Sequence, residues 1–120
     1  MNVIYGRKPD FEAEITVLTA DQGGRKTPPF NKIRWDFRYA DDAPSDGIYM
    51  IHPYFLDKNR ELFPDGQALS GTMTALMFIV IEEMADYHRK RIAIGTEFYC
   101  VEGYKICATG TVTDLIGLRC

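Results

Sequence analysis

The stretch from Gly23 to Tyr39, reading GGRKTPPFNKIRWDFRY, leaves the backbone few choices. Gly23 and Gly24 permit a turn that a side chain would forbid. Pro28 and Pro29 then fix φ twice and remove two backbone donors, so Lys26–Pro29 must run as an extended, unpaired loop rather than as a helix or central strand. After Phe30, the residues Ile33, Trp35, Phe37 and Tyr39 fall on one side of a strand, and Arg34, Asp36 and Arg38 fall on the other. A glycine turn, a stiff loop and an amphipathic strand are predicted in that order.

The rest of the chain has the same character. Phe11, Ala13, Ile15 and Val17 alternate with Glu12, Glu14 and Thr16, the period of a half-buried strand. Residues 40–47 form an acidic loop, and Ile48–His52 reads as a short strand stopped by Pro53. A second loop covers residues 57–66. Residues 72–81 suit a buried helix nearly as well as a strand, and Thr72, Thr74 and Ile79-Val80-Ile81 decide for strand. Glu82–Arg91 is the most charged segment and reads as a loop. Residues 92–101 and 104–113 form a hairpin around Glu102-Gly103. These spacings predict an all-β fold, a small closed antiparallel β-barrel over residues 11–120 after a lead-in of residues 1–10.

A chain of 120 residues is the size of one domain. A net charge of -3 gives the molecule no global attraction to nucleic acid, so such contacts need a local patch. No apolar run approaches the roughly 20 residues of a membrane span. The N-terminus has no charged lead before an apolar block, which argues against a secretory signal. Cys100, Cys107 and Cys120 are odd in number and lack metal-ligand spacing, as expected of reduced thiols in a cytoplasmic protein. A disulfide between Cys100 and Cys107 across the hairpin is the lesser alternative.

From Phe11-Glu12-Ala13-Glu14-Ile15-Thr16-Val17-Leu18 through Asp21-Gln22-Gly23-Gly24-Arg25-Lys26-Thr27-Pro28-Pro29-Phe30, the chain resembles the start of the C-terminal β-barrel domain (domain III) of bacterial elongation factor Tu. Arg91-Ile92-Ala93-Ile94 and Glu102 to Val112 resemble that domain's last strands, with Gly95 to Val101 inserted between them. The resemblance implies a barrel that contacts the T-arm of aminoacyl-tRNA and helps bind the nucleotide-exchange factor. It implies no GTP site, which belongs to another domain of the family, and no cofactor. With Met at position 1, the chain reads as this module encoded alone. Asp36 stands where the family has a tRNA-facing Gln, and Ala40 where it has an Arg. Both changes weaken phosphate binding.

Catalytic motifs do not emerge. Gly24-Arg25-Lys26-Thr27 approaches a phosphate loop in letters, but it lacks the upstream glycine and has prolines where a helix should start. His52 and His88 have no ligand-spaced partner; His52 reads as a strand end and His88 as part of a solvated charged face. Arg25, Lys26, Lys32, Arg34 and Arg38, interleaved with Phe30, Trp35, Phe37 and Tyr39, and Lys105 near the end, mark a candidate basic and aromatic surface for RNA. The bland alternative is that the aromatics are core and the cations ordinary outward residues. The expected function is a non-enzymatic binding module engaging tRNA or a partner protein of the elongation factor. The alternative is a mimic or decoy of the factor against an inhibitor or toxin, and the third reading is a small-ligand or enzyme role for the Glu82–Arg91 loop.

Overall fold

The computed structural model describes residues 7–118; residues 1–6 of the lead-in and Cys120 lie outside the described residues. Six strands form one antiparallel sheet: β1 (Phe11–Val17), β2 (Asp36–Tyr39), β3 (Ile51–Leu56), β4 (Thr72–Ile79), β5 (Glu97–Glu102) and β6 (Lys105–Leu115). Their order is β2-β5-β6-β1-β4-β3. The alternation read in residues 11–18 places Phe11, Ala13 and Ile15 inside, each fully buried, and the strand predicted over residues 72–81 spans Thr72–Ile79. The predicted hairpin is β5 and β6, turning through Gly103 at φ 62°.

The sheet curls, but it is an open half-barrel and not the closed barrel expected. Its two edges approach at a seam, where Phe37 of β2 and Tyr49, two residues before β3, exchange two N–H···O bonds of 2.8 Å. Two features keep the seam from zipping. β2 is four residues long rather than the seven of Ile33–Tyr39, and the chain turns at Lys32, φ 71°, ahead of it. On β3 the pairing groups are already taken. The buried Asn31 side chain accepts from the Phe55 N–H at 2.8 Å and donates to the Phe55 and Phe63 carbonyls at 3.1 Å each. Pro53, two residues earlier on the same side of that strand, has no donor to offer.

Pro53 does not stop the strand as predicted. It lies within β3, paired with Met77, which an edge strand tolerates because the missing N–H faces away from β4. The Glu82–Arg91 segment is also not a loop. A 3₁₀ turn at Glu82–Met84 leads into a helix α1 (Ala85–Arg91), with Asp86 in its first turn and His88, Arg89, Lys90 and Arg91 in its last, the arrangement its dipole favours.

The concave face packs aromatic against aromatic. Phe37 and Phe98 stack with centroids 4.6 Å apart, and Phe11 meets both edge-on. Gly110 makes room for this stack, since a Cβ there would overlap the Phe98 ring. Gly110→Ala is expected to cost about 1–3 kcal/mol by overpacking, read as a lower midpoint in urea with an unchanged slope.

Candidate binding surface

The glycine turn delivers a cation to the end of the hairpin. Gly23 adopts φ 90°, and a Cβ on Gly24 would collide with the Leu18 carbonyl, so the turn is tight enough to fold residues 25–29 back against β1. Leu69 N–H donates to the Pro29 carbonyl at 2.8 Å and anchors the far side of the loop. Arg25 then donates to Thr27 O through Nε at 3.1 Å and pairs with Glu102. The indole N–H of buried Trp35 donates to the same carboxylate at 2.8 Å. Burial alone would raise the Glu102 pKa, but the hydrogen bonds from Arg25 and Trp35, with the Arg25 charge, hold it below the usual carboxylate range.

Around this pair lie Lys26, Lys105 and Tyr104, all exposed. Tyr104, at the hairpin tip, is 82% exposed. Beside them a groove of about 210 Å³ is lined by Val17, Leu18, Arg25, Lys26, Pro28 and Leu69.

The structure divides the six predicted cations. Arg25, Lys26 and Lys105 share the hairpin end. Lys32 sits apart, paired with Asp65 at 3.1 Å. Arg34 and Arg38 belong to the seam: Arg34 is exposed, whereas Arg38 is buried with its guanidinium 5.2 Å from the Tyr99 ring centroid. The aromatics do not interleave with them at the surface. Trp35, Phe37 and Tyr39 are core residues, and of the predicted set only Phe30 is exposed.

A second cluster escaped the sequence reading. His88 is not on a solvated face; α1 buries it against Tyr39, with its Nδ1 2.7 Å from the Tyr39 hydroxyl and its ring edge-on to Tyr49. Arg91 lies over the Tyr39 ring at 3.7 Å, donates to the Tyr87 hydroxyl at 2.6 Å, and pairs with Asp41 at 3.0 Å and Asp42 at 2.6 Å. Tyr49 in turn donates to the Tyr87 hydroxyl at 3.2 Å. Burial first, then the Arg91 charge, lowers the His88 pKa to about 4 against a partial offset from Asp10. Burial raises Tyr39, and the hydrogen bond to Tyr87, with burial next, pushes Tyr49 up to about 12. The His88–Tyr39 hydrogen bond ties α1 to the end of β2, and the Arg91 pairs with Asp41 and Asp42 tie it to the acidic loop. Tyr87, His88 and Arg91 share one side of a helical turn, a signal visible in the sequence only once a helix is assumed.

His52 is also buried, and burial lowers its pKa. Cys100 and Cys107 are both free thiols, buried, and raised by that burial, Cys107 to about 11. Among the described residues no group of three or more His, Cys, Asp or Glu is placed to hold a metal ion, and no helix is long and apolar enough to cross a membrane. No family model matches the chain.

Proposed function

We propose that this chain is a binding module of the elongation factor Tu domain III type, working in the cytoplasm, that engages a partner protein of the elongation factor rather than tRNA. The hairpin end carries this reading. Tyr104 is exposed at the β5–β6 turn next to Lys105, and Arg25, which pairs with Glu102 of the same hairpin, lines an apolar groove with Lys26. An exposed aromatic beside cations and an apolar groove suits a protein hot spot. Phosphate binding is less well served. Glu102 and Asp65 already neutralise Arg25 and Lys32, and three of the aromatics that would stack on bases are core.

The test is titration of the nucleotide-exchange factor of elongation factor Tu against the labelled protein, followed by fluorescence anisotropy. Tyr104→Ala is expected to weaken binding by roughly tenfold or more with no loss of fold. Saturable binding of tRNA with no binding of the exchange factor would overturn the proposal.

A further inference from the structure

We infer that the groove lined by Arg25 and Lys26 is a pocket for one aromatic side chain of the partner protein, with an acidic residue next to it in that partner's sequence. The inference rests on the partner-protein reading above and names the chemistry that reading leaves open. The groove holds about 210 Å³. A core cavity of roughly 150 Å³ takes up benzene, so this volume suits a single ring with its methylene, and is too small for a drug-sized ligand. Buried Pro29 and Leu69, with half-buried Val17 and Leu18, supply its apolar wall. Its hydroxyls are those of Thr19, Thr27 and Ser70, and Thr27 already accepts from Arg25 at 3.3 Å. Water in such a hollow has few partners, and a ring that displaces it gains.

The groove is fixed in shape before anything enters it. Val17 N–H donates to the Gly71 carbonyl at 2.9 Å, Gly24 N–H to Thr19 at 2.9 Å, and Leu69 N–H to Pro29 at 2.8 Å, while the rings of Pro28 and Pro29 fix φ on the remaining side. A preformed pocket spends little ordering entropy on binding. Charge decides what stands beside the ring. Arg25 donates to Thr27 and pairs with Glu102, so its charge is answered within the chain. Lys26 is exposed, makes no ion pair among the described residues, and shares the groove with no carboxylate. A carboxylate of the partner complements it. An exposed pair of this kind contributes modestly, so the ring carries the affinity and the charge sets the preference. A nucleotide also carries a ring beside an anion, but the polar edge of its base would lose water against apolar walls without gaining partners.

The probe is acetyl-Asp-Phe-amide, with acetyl-Asp-Ala-amide, acetyl-Lys-Phe-amide and uridine 5′-monophosphate as comparisons. Binding is read from the ¹H–¹⁵N amide shifts of the full chain. Acetyl-Asp-Phe-amide is expected to bind with a Kd on the order of 1 mM, to shift the Leu18, Leu69 and Gly71 amides, and to lose about tenfold or more when alanine replaces its phenylalanine. Lys26→Glu is expected to turn the preference for the Asp over the Lys dipeptide into the reverse, by roughly two- to fivefold for each probe. Lys26 is exposed, so the thermal midpoint of this variant is expected to match wild type and a changed preference does not reflect lost fold. No shift of those amides at about 20 mM probe, equal binding of the alanine dipeptide, an unchanged preference in Lys26→Glu, or tighter binding of uridine monophosphate at the same amides would each overturn the inference. The two readings fail separately. Exchange-factor binding without dipeptide shifts removes the pocket, whereas dipeptide shifts without exchange-factor binding support the pocket and remove that factor as the partner.

Discussion

Asn31→Ala is expected to destabilise the protein by about 2–4 kcal/mol, lowering the thermal midpoint by roughly 10 °C or more. One amide side chain here replaces a neighbouring strand. Its Oδ1 receives the Phe55 and Lys32 N–H groups at 2.8 and 3.2 Å, and its Nδ2 serves the carbonyls of Phe55 and Phe63. Alanine would leave the Phe55 N–H desolvated with no acceptor, in a residue fully buried between core and loop. Asn31→Asp separates the contributions. It keeps the acceptor but turns the donor into an anion aimed at two carbonyl oxygens. Its loss is therefore expected to match that of alanine at neutral pH and to shrink in acid, where a protonated carboxyl donates again. Thermal unfolding of the three proteins at pH 7 and pH 4 checks both statements. Equal stability of Asn31→Ala and wild type would remove the edge-capping role.

His88 is expected to make the fold acid-sensitive above the range in which carboxylates titrate. Its pKa falls from 6.5 to about 4 on folding, so the unfolded chain binds a proton first. The stability it allows is complete above pH 6.5 and is lost as pH falls toward 4, a loss approaching about 3 kcal/mol. His52, lowered mainly by burial, acts in the same direction. Glu102, held below its ordinary range, adds a further loss only at lower pH, where its unfolded-state carboxyl begins to bind protons. His88→Gln keeps an acceptor for the Tyr39 hydroxyl and cannot titrate. Its urea midpoint is expected to vary less between pH 6.5 and 4 than that of wild type. An unchanged pH profile would mean that His88 is not held neutral by its surroundings.

The parts of the fold legible in the sequence are those set by short-range period and turn chemistry. Alternation found β1 and the outward side of β2, β-branched residues placed β4, and Glu102-Gly103 located the hairpin. What escaped depends on contacts distant in sequence. Helix α1 has only seven residues, too few for a period, and its one buried side chain is the polar His88. Pro53 reads as a strand end, because only the sheet order reveals that it sits on an edge with its nitrogen outward. The half-barrel stays open in part because Asn31 occupies the β3 edge at Phe55, a long-range pairing that no local pattern contains. Of the candidate surface, the sequence shows the cations but not their partners. Arg25 reaches the hairpin only through Glu102, and the carboxylates that pair with Arg25 and Lys32 lie far along the chain. Arg38 is on the predicted face, but its guanidinium lies over Tyr99 on the β5 side.

We propose that the exposed surface recognises protein and not the phosphates of RNA. The most direct measurement is the affinity for the exchange factor and for tRNA at several salt concentrations between 50 and 500 mM, plotted as logarithms. Tight exchange-factor binding with a shallow slope, and tRNA binding absent or at least about a hundredfold weaker, is the predicted result. Tight tRNA binding that falls steeply with salt, with a slope equivalent to several phosphate contacts, would contradict it.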